Sequence, residues 1–149
     1  MVSAIDLELD DAVHIGTAGH KRLGTRLADA ADGHVAPDIA DVRVEVEGAR
    51  IRVTYNEVRG GWCAPGRPAG FSVRDPDGRE APLIYKVTLD GDTAVLYLVA
   101  GTLPSGLDLW YGWGADPYCN VADAVDIAIP AAGPLPLTHH RIAPPKEDV

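Results

Sequence analysis

Residues 41–55 read DVRVEVEGARIRVTY. Val42, Val44 and Val46 alternate with Arg43, Glu45 and Glu47. After Gly48, Ile51, Val53 and Tyr55 alternate with Arg50, Arg52 and Thr54. A period of two belongs to strands, where successive side chains point to opposite faces. The stretch therefore predicts a β-hairpin with one buried face and one solvated face, on which Glu–Arg pairs can meet across the strands.

The same signature continues downstream. Gly70–Arg74 holds Phe71 and Val73 and runs into Asp75-Pro-Asp-Gly78, a strong turn signal. Pro82–Leu89 and Thr93–Val99 flank Asp90-Gly91-Asp92 and predict a second hairpin. Leu107–Trp113 is a last strand. Short strands at regular intervals with turns between them predict an antiparallel β-sandwich. The chain has 149 residues, of which 46% are hydrophobic, enough for one domain with a sizeable core.

The N-terminal residues follow a different period. Val2–Leu9 predicts a strand. Thr17 predicts an N-cap for a helix through about Ala31 that stops near Gly33. Leu23, Leu27 and Ala30 or Ala31 make the apolar stripe, with Lys21, Arg22 and Arg26 facing elsewhere. The predicted fold is mainly β, with an N-terminal strand–helix unit over residues 1–36, a sandwich over 37–138 and a polar tail over 139–149.

Charge and composition narrow the partners. A net charge of −9 repels phosphate backbones and anionic bilayers, which argues against nucleic acid and membrane surfaces. No stretch has the roughly twenty apolar residues of a membrane span, and the first residues do not read as a signal peptide. As written the chain reads as cytoplasmic, with an exported parent protein left open. Two cysteines, Cys63 and Cys119, are too few for a zinc ribbon; they read as ordinary buried thiols, or as a disulfide only if the fold brings them together in an oxidising compartment.

Chemistry concentrates near the start. Asp11-Ala-Val-His14 places a carboxylate three residues before an imidazole, followed by a glycine-flanked turn and a helix. An aspartate that orients a histidine is the proton-handling part of a hydrolase triad. This block, with Gly19-His20-Lys21-Arg22-Leu23-Gly24-Thr25-Arg26-Leu27-Ala28, resembles the last conserved block of the SGNH (GDSL-type) hydrolases, in the branch of the sialate O-acetylesterases. Gly70-Phe71-Ser72-Val73 and Leu109-Trp110-Tyr111-Gly112-Trp113-Gly114-Ala115-Asp116-Pro117-Tyr118-Cys119-Asn120-Val121 resemble the accessory β module of the same esterases. The resemblance implies that Asp11 and His14 are the catalytic acid and base. It also implies that residues 1–36 are the end of an α/β catalytic domain and that the substrate is a small ester or a glycan. The family's Gly-Asp-Ser nucleophile block has no counterpart here. The serines are Ser3, Ser72 and Ser105, none in a nucleophile-elbow context.

Without a nucleophile the pair supplies little rate, so Asp11 and His14 read either as a working half-site or as relics on an exposed strand end. A second reading uses metal. His14, His20 and Asp11, with His139 and His140 folding back from the tail, would suit zinc or another divalent ion and permit weak ester or phosphoester hydrolysis without serine. The spacing matches no known ligand motif, and the alternative is surface histidines. A third constellation, Trp62, Trp110, Tyr111 and Trp113, reads either as a sugar-stacking platform or as core, with Trp110 on one face of its strand and Leu109, Tyr111 and Trp113 on the other. The Gly60–Pro68 loop reads as a connector. An apolar helix face and an unpaired N-terminal strand edge would favour a homo-oligomer.

Overall fold

The computed structural model describes residues 1–45, 47, 49–100 and 103–137. One helix, α1 (Thr17–Ala31), precedes ten strands: β1 (Asp38–Glu45), β2 (Arg50–Asn56), β3 (Trp62–Cys63), β4 (Phe71–Arg74), β5 (Glu80–Ala81), β6 (Ile84–Asp90), β7 (Thr93–Leu98), β8 (Asp108–Tyr111), β9 (Ala122–Asp123) and β10 (Ala132–Pro136).

The strands form two four-stranded antiparallel sheets, ordered β1-β2-β7-β6 and β10-β8-β4-β5, and a small β3-β9 pair. The mainly β reading holds. The hairpin predicted from alternation is β1–β2, with Val44 opposite Ile51 and Val42 opposite Val53. Ile51, Val53 and Tyr55 are buried, while Arg50, Arg52 and Thr54 between them are half-exposed. Glu45 pairs with Arg50 at 2.9 Å on the outer face. The Asp75–Gly78 turn forms as its residues require. Asp75 Oδ1 accepts the amides of Asp77 and Arg79, and Gly78 takes the positive φ of +80°.

One apolar core joins both sheets. Ile51, Val53, Leu96 and Leu98 from the first meet Val73, Leu109 and Tyr111 from the second. Trp62 is part of this core, edge-on to Tyr55 at 5.2 Å, with its indole N–H donating to the Asp92 carbonyl. The platform reading is therefore corrected for Trp62 and Tyr111, which are buried. For Trp113, which is 39% exposed, it is the predicted face that is corrected. Gly112 takes φ +73°, which breaks the strand's alternation and swings Trp113 onto Trp110, ring centroids 4.5 Å apart. Arg74 covers Trp113 at 4.7 Å.

The N-terminal segment departs from expectation. Val2–Leu9 is not a strand; it forms a turn and contributes one isolated bridge, Leu9 to Ile15. The strand edge expected to drive association does not exist. Thr17 is the first helical residue rather than the cap; Gly16 occupies the cap and makes no side-chain capping bond. The helix stops as predicted, with Gly33 at φ +94° and its amide on the Ala30 carbonyl.

The helix face is also reversed. Leu27 is exposed and Arg26 is 1% exposed. No residue of α1 enters the sandwich core. Charge docks it instead. Arg26 donates to both carboxylate oxygens of Asp6, to the Ser3 carbonyl, and to the backbone and side chain of Asp126. Arg22, one turn earlier on the same face, bridges the same two carboxylates. Asp126 sits in a turn that Asp123 holds together by accepting the amides of Val125, Ile127 and Arg59. Arg59 in turn binds Asp29 near the helix C-terminus through two hydrogen bonds.

Candidate active site

The Asp11–His14 pair stands at the tip of a loop that closes on itself. Gly16 N–H donates to the Glu8 carbonyl at 3.2 Å, Leu9 bridges Ile15, and Asp10 N–H donates to the His14 carbonyl at 2.8 Å. Gly19 lets α1 settle on this base, since a Cβ there would collide with Ile15.

At the tip, Asp11 does three things with one carboxylate. Its Oδ1 accepts the amides of Val13 and His14, each at 2.9 Å, an Asx turn that fixes the loop. Its Oδ2 lies 2.8 Å from His14 Nδ1. The Val13 amide, the His14 ring and the His14 amide together hold the Asp11 carboxyl below the usual aspartate range. Asp11 stays ionised at neutral pH and can only accept, so in the neutral imidazole His14 Nδ1 carries the proton and Nε2 keeps its lone pair. That is the tautomer and orientation a general base requires.

The rest of a triad is not assembled around it. The side chains of His14 and Asp11 are 74% and 58% exposed. Among the described residues no hydroxyl bonds to His14. Ser3 donates to the Ile129 carbonyl, and Ser72 is buried and accepts from Arg74.

Of the residues expected to share a metal, Asp11, His14 and His20 lie among the described residues, and His14 is paired with Asp11. His20 turns its Nδ1 to the Gly16 carbonyl at 3.1 Å, and His34 lies against Asp29. No three His, Cys, Asp or Glu side chains come together to hold a metal among the described residues. His139 and His140 lie outside those residues.

The cysteines differ from each other. Cys119 is buried, and burial pushes its thiol up to about 11. Cys63 is exposed, which corrects the reading of two buried thiols. A thiol reagent at pH 8 should label one cysteine per chain quickly and the second only in denaturant, as mass spectrometry of timed samples would show. Equal rates would contradict the packing around Cys119.

Sequence reasoning missed the Arg22–Arg26–Asp6–Asp126 cluster. The signal was present as two arginines four apart in a helix, but Leu23 and Leu27 offer an equally regular stripe one residue away. It also missed the β3–β9 pair, because two-residue strands carry no periodicity.

No family model matches the sequence, and no curated protein does. A solved structure does match: a carbohydrate acetylesterase from Xanthomonas citri, with a TM-score of 0.61 and 19% sequence identity. The match covers 85% of this chain and 30% of that one. At this identity the likeness establishes a shared fold. The chain spans less than a third of the esterase's length. No described helix is long and apolar enough to cross a membrane.

Proposed function

We propose that this chain supplies the acid–base half of an ester hydrolase acting on acylated carbohydrate, with His14 as general base and Asp11 as its orienting acid. The observation that carries the reading is the Asp11 Oδ2 to His14 Nδ1 contact, which leaves the Nε2 lone pair free. The fold shared with a carbohydrate acetylesterase supports it, as does the resemblance of the block to SGNH and sialate O-acetylesterase sequences. The attacking alcohol and the oxyanion donors would come from a second body that meets the loop. Val13, Leu27 and Val35 are exposed apolar side chains of residues 1–36 that such a body, or another copy of this chain, would cover.

In the transition state, Nε2 would take the proton of the attacking hydroxyl and return it to the leaving alcohol, while Asp11 stabilises the imidazolium. The test is hydrolysis of p-nitrophenyl acetate by the purified chain, assayed without and with chelator; with no second body present, water takes the place of the attacking alcohol and the protein-dependent rate is small. His14→Asn should remove most of the protein-dependent rate, and Asp11→Asn should lower it several-fold. Identical rates in wild type and His14→Asn would sink the proposal, as would stoichiometric labelling of a serine by a fluorophosphonate. Loss of activity on adding chelator would instead support the metal-assisted route.

A further inference from the structure

The two sheets leave a groove along one side of the sandwich, where edge strand β6 of the first faces edge strand β5 and its neighbour β4 of the second. Its volume is about 610 Å³, within the usual range of small-ligand sites. It shares no lining residue with the Asp11–His14 loop.

Three features point to a ligand. The first is Tyr85, which sits in the groove and is 64% exposed. It occupies a register shift in β6 between Ile84 and Lys86, and a bulge at a sheet edge re-aims a side chain. Bulges and lysines also guard edges against unwanted pairing, a role Lys86 can fill; Tyr85, tilted against Tyr97 with ring centroids 6.2 Å apart, adds an aromatic surface beside it. The second is a pair of cations. Arg67 and Lys86 line the groove, and neither has a carboxylate in ion-pair range among the described residues, although the chain carries a net charge of −9; Lys86 Nζ rests over the Tyr97 ring at 5.1 Å. Glu80, the acid in the groove, is engaged with Arg74 at 3.6 Å. The third is a firm support. Buried Asn120 donates to the Arg67 and Pro65 carbonyls and accepts the Ala69 amide, which pins the loop carrying Arg67.

We infer that this groove binds an acidic oligosaccharide, with Tyr85 stacking on a sugar ring and Arg67 and Lys86 receiving carboxylates. An aromatic face matches the C–H face of a pyranose, and a guanidinium matches a carboxylate in a fork of two hydrogen bonds. The site stands whether or not Asp11 and His14 are catalytic.

Titration calorimetry with an oligogalacturonate of a few residues tests it, with a neutral xylo-oligosaccharide and polyglutamate as controls. The acidic glycan should bind and both controls should not. Tyr85→Ala should weaken binding about tenfold. Arg67→Ala and Lys86→Ala should each weaken it several-fold and flatten its salt dependence. Circular dichroism should show all three variants folded, since each side chain is on the surface. Absence of binding, equal binding of polyglutamate, or binding unchanged by Tyr85→Ala would overturn the inference.

Discussion

Replacing Arg26 with alanine should release α1 while leaving the sandwich intact. Arg26 is 1% exposed and its Asp6 partner 3%, so removing the guanidinium strips a buried carboxylate of its two Arg26 hydrogen bonds and leaves it only the more exposed Arg22. Breaking a buried ion pair in this way costs about 3–5 kcal/mol. The cost falls on the helix, because α1 contributes nothing to the core shared by the sheets. Hydrogen exchange should show protection lost over residues 17–31 and retained in β2 and β7. Arg26→Lys should fail similarly, since an ammonium lacks the planar fork that serves Asp6, Asp126 and the Ser3 carbonyl together. Uniform loss of protection across the chain would refute the division.

Acid should act on the same joint. Hydrogen bonding from Arg22, with Arg26 nearby, holds the Asp126 carboxyl below its ordinary value of 3.8. A folded-state pKa lower than the unfolded one stabilises above the unfolded value, and that stability fades as pH falls through the folded one. Helix protection should therefore hold near pH 5 and decline below about 4, before the strands lose theirs.

The second large effect is expected in the core. Gly70 takes φ +116°, and a Cβ there would lie 2.6 Å from the Tyr111 ring and 2.8 Å from Cys119 Sγ. Gly70→Ala thus combines a backbone conformation that disfavours side chains with overpacking against a ring that is itself 1% exposed. Each effect costs about 1–3 kcal/mol. For a chain of this size each kcal/mol lowers Tm by about 2–4 °C, so a fall near 10 °C is expected. Gly24→Ala is the control, because nothing lies within 4 Å of its added methyl and it is helical. It should match or exceed wild type. A Gly70→Ala melt superimposable on wild type would contradict the packing of β4 against Tyr111.

How much of this was legible in the sequence follows from which forces leave a period. Ile51, Val53 and Tyr55 declared their strand because burial on one face of a sheet imposes alternation. The Asp75–Gly78 turn declared itself through side-chain chemistry that acts within four residues. Arg26 did not, because its partners Asp6 and Asp126 lie 20 and 100 residues away and pairing at that distance leaves no pattern. Trp113 was placed on the wrong face because one glycine at φ +73° resets the strand's phase. The Asp11–His14 pair was legible because its geometry is local. What surrounds it was not, since both side chains stand more than half exposed.

That locality has a further meaning. Every contact that sets the direction of the imidazole arises within residues 8–16. Such a hairpin of chain travels as a self-aligned cassette, indifferent to its host. Transplanted between two strands of an unrelated scaffold, it should carry its ring orientation along, and the burden of assembling a reaction centre then falls wholly on whatever surface is brought to face it.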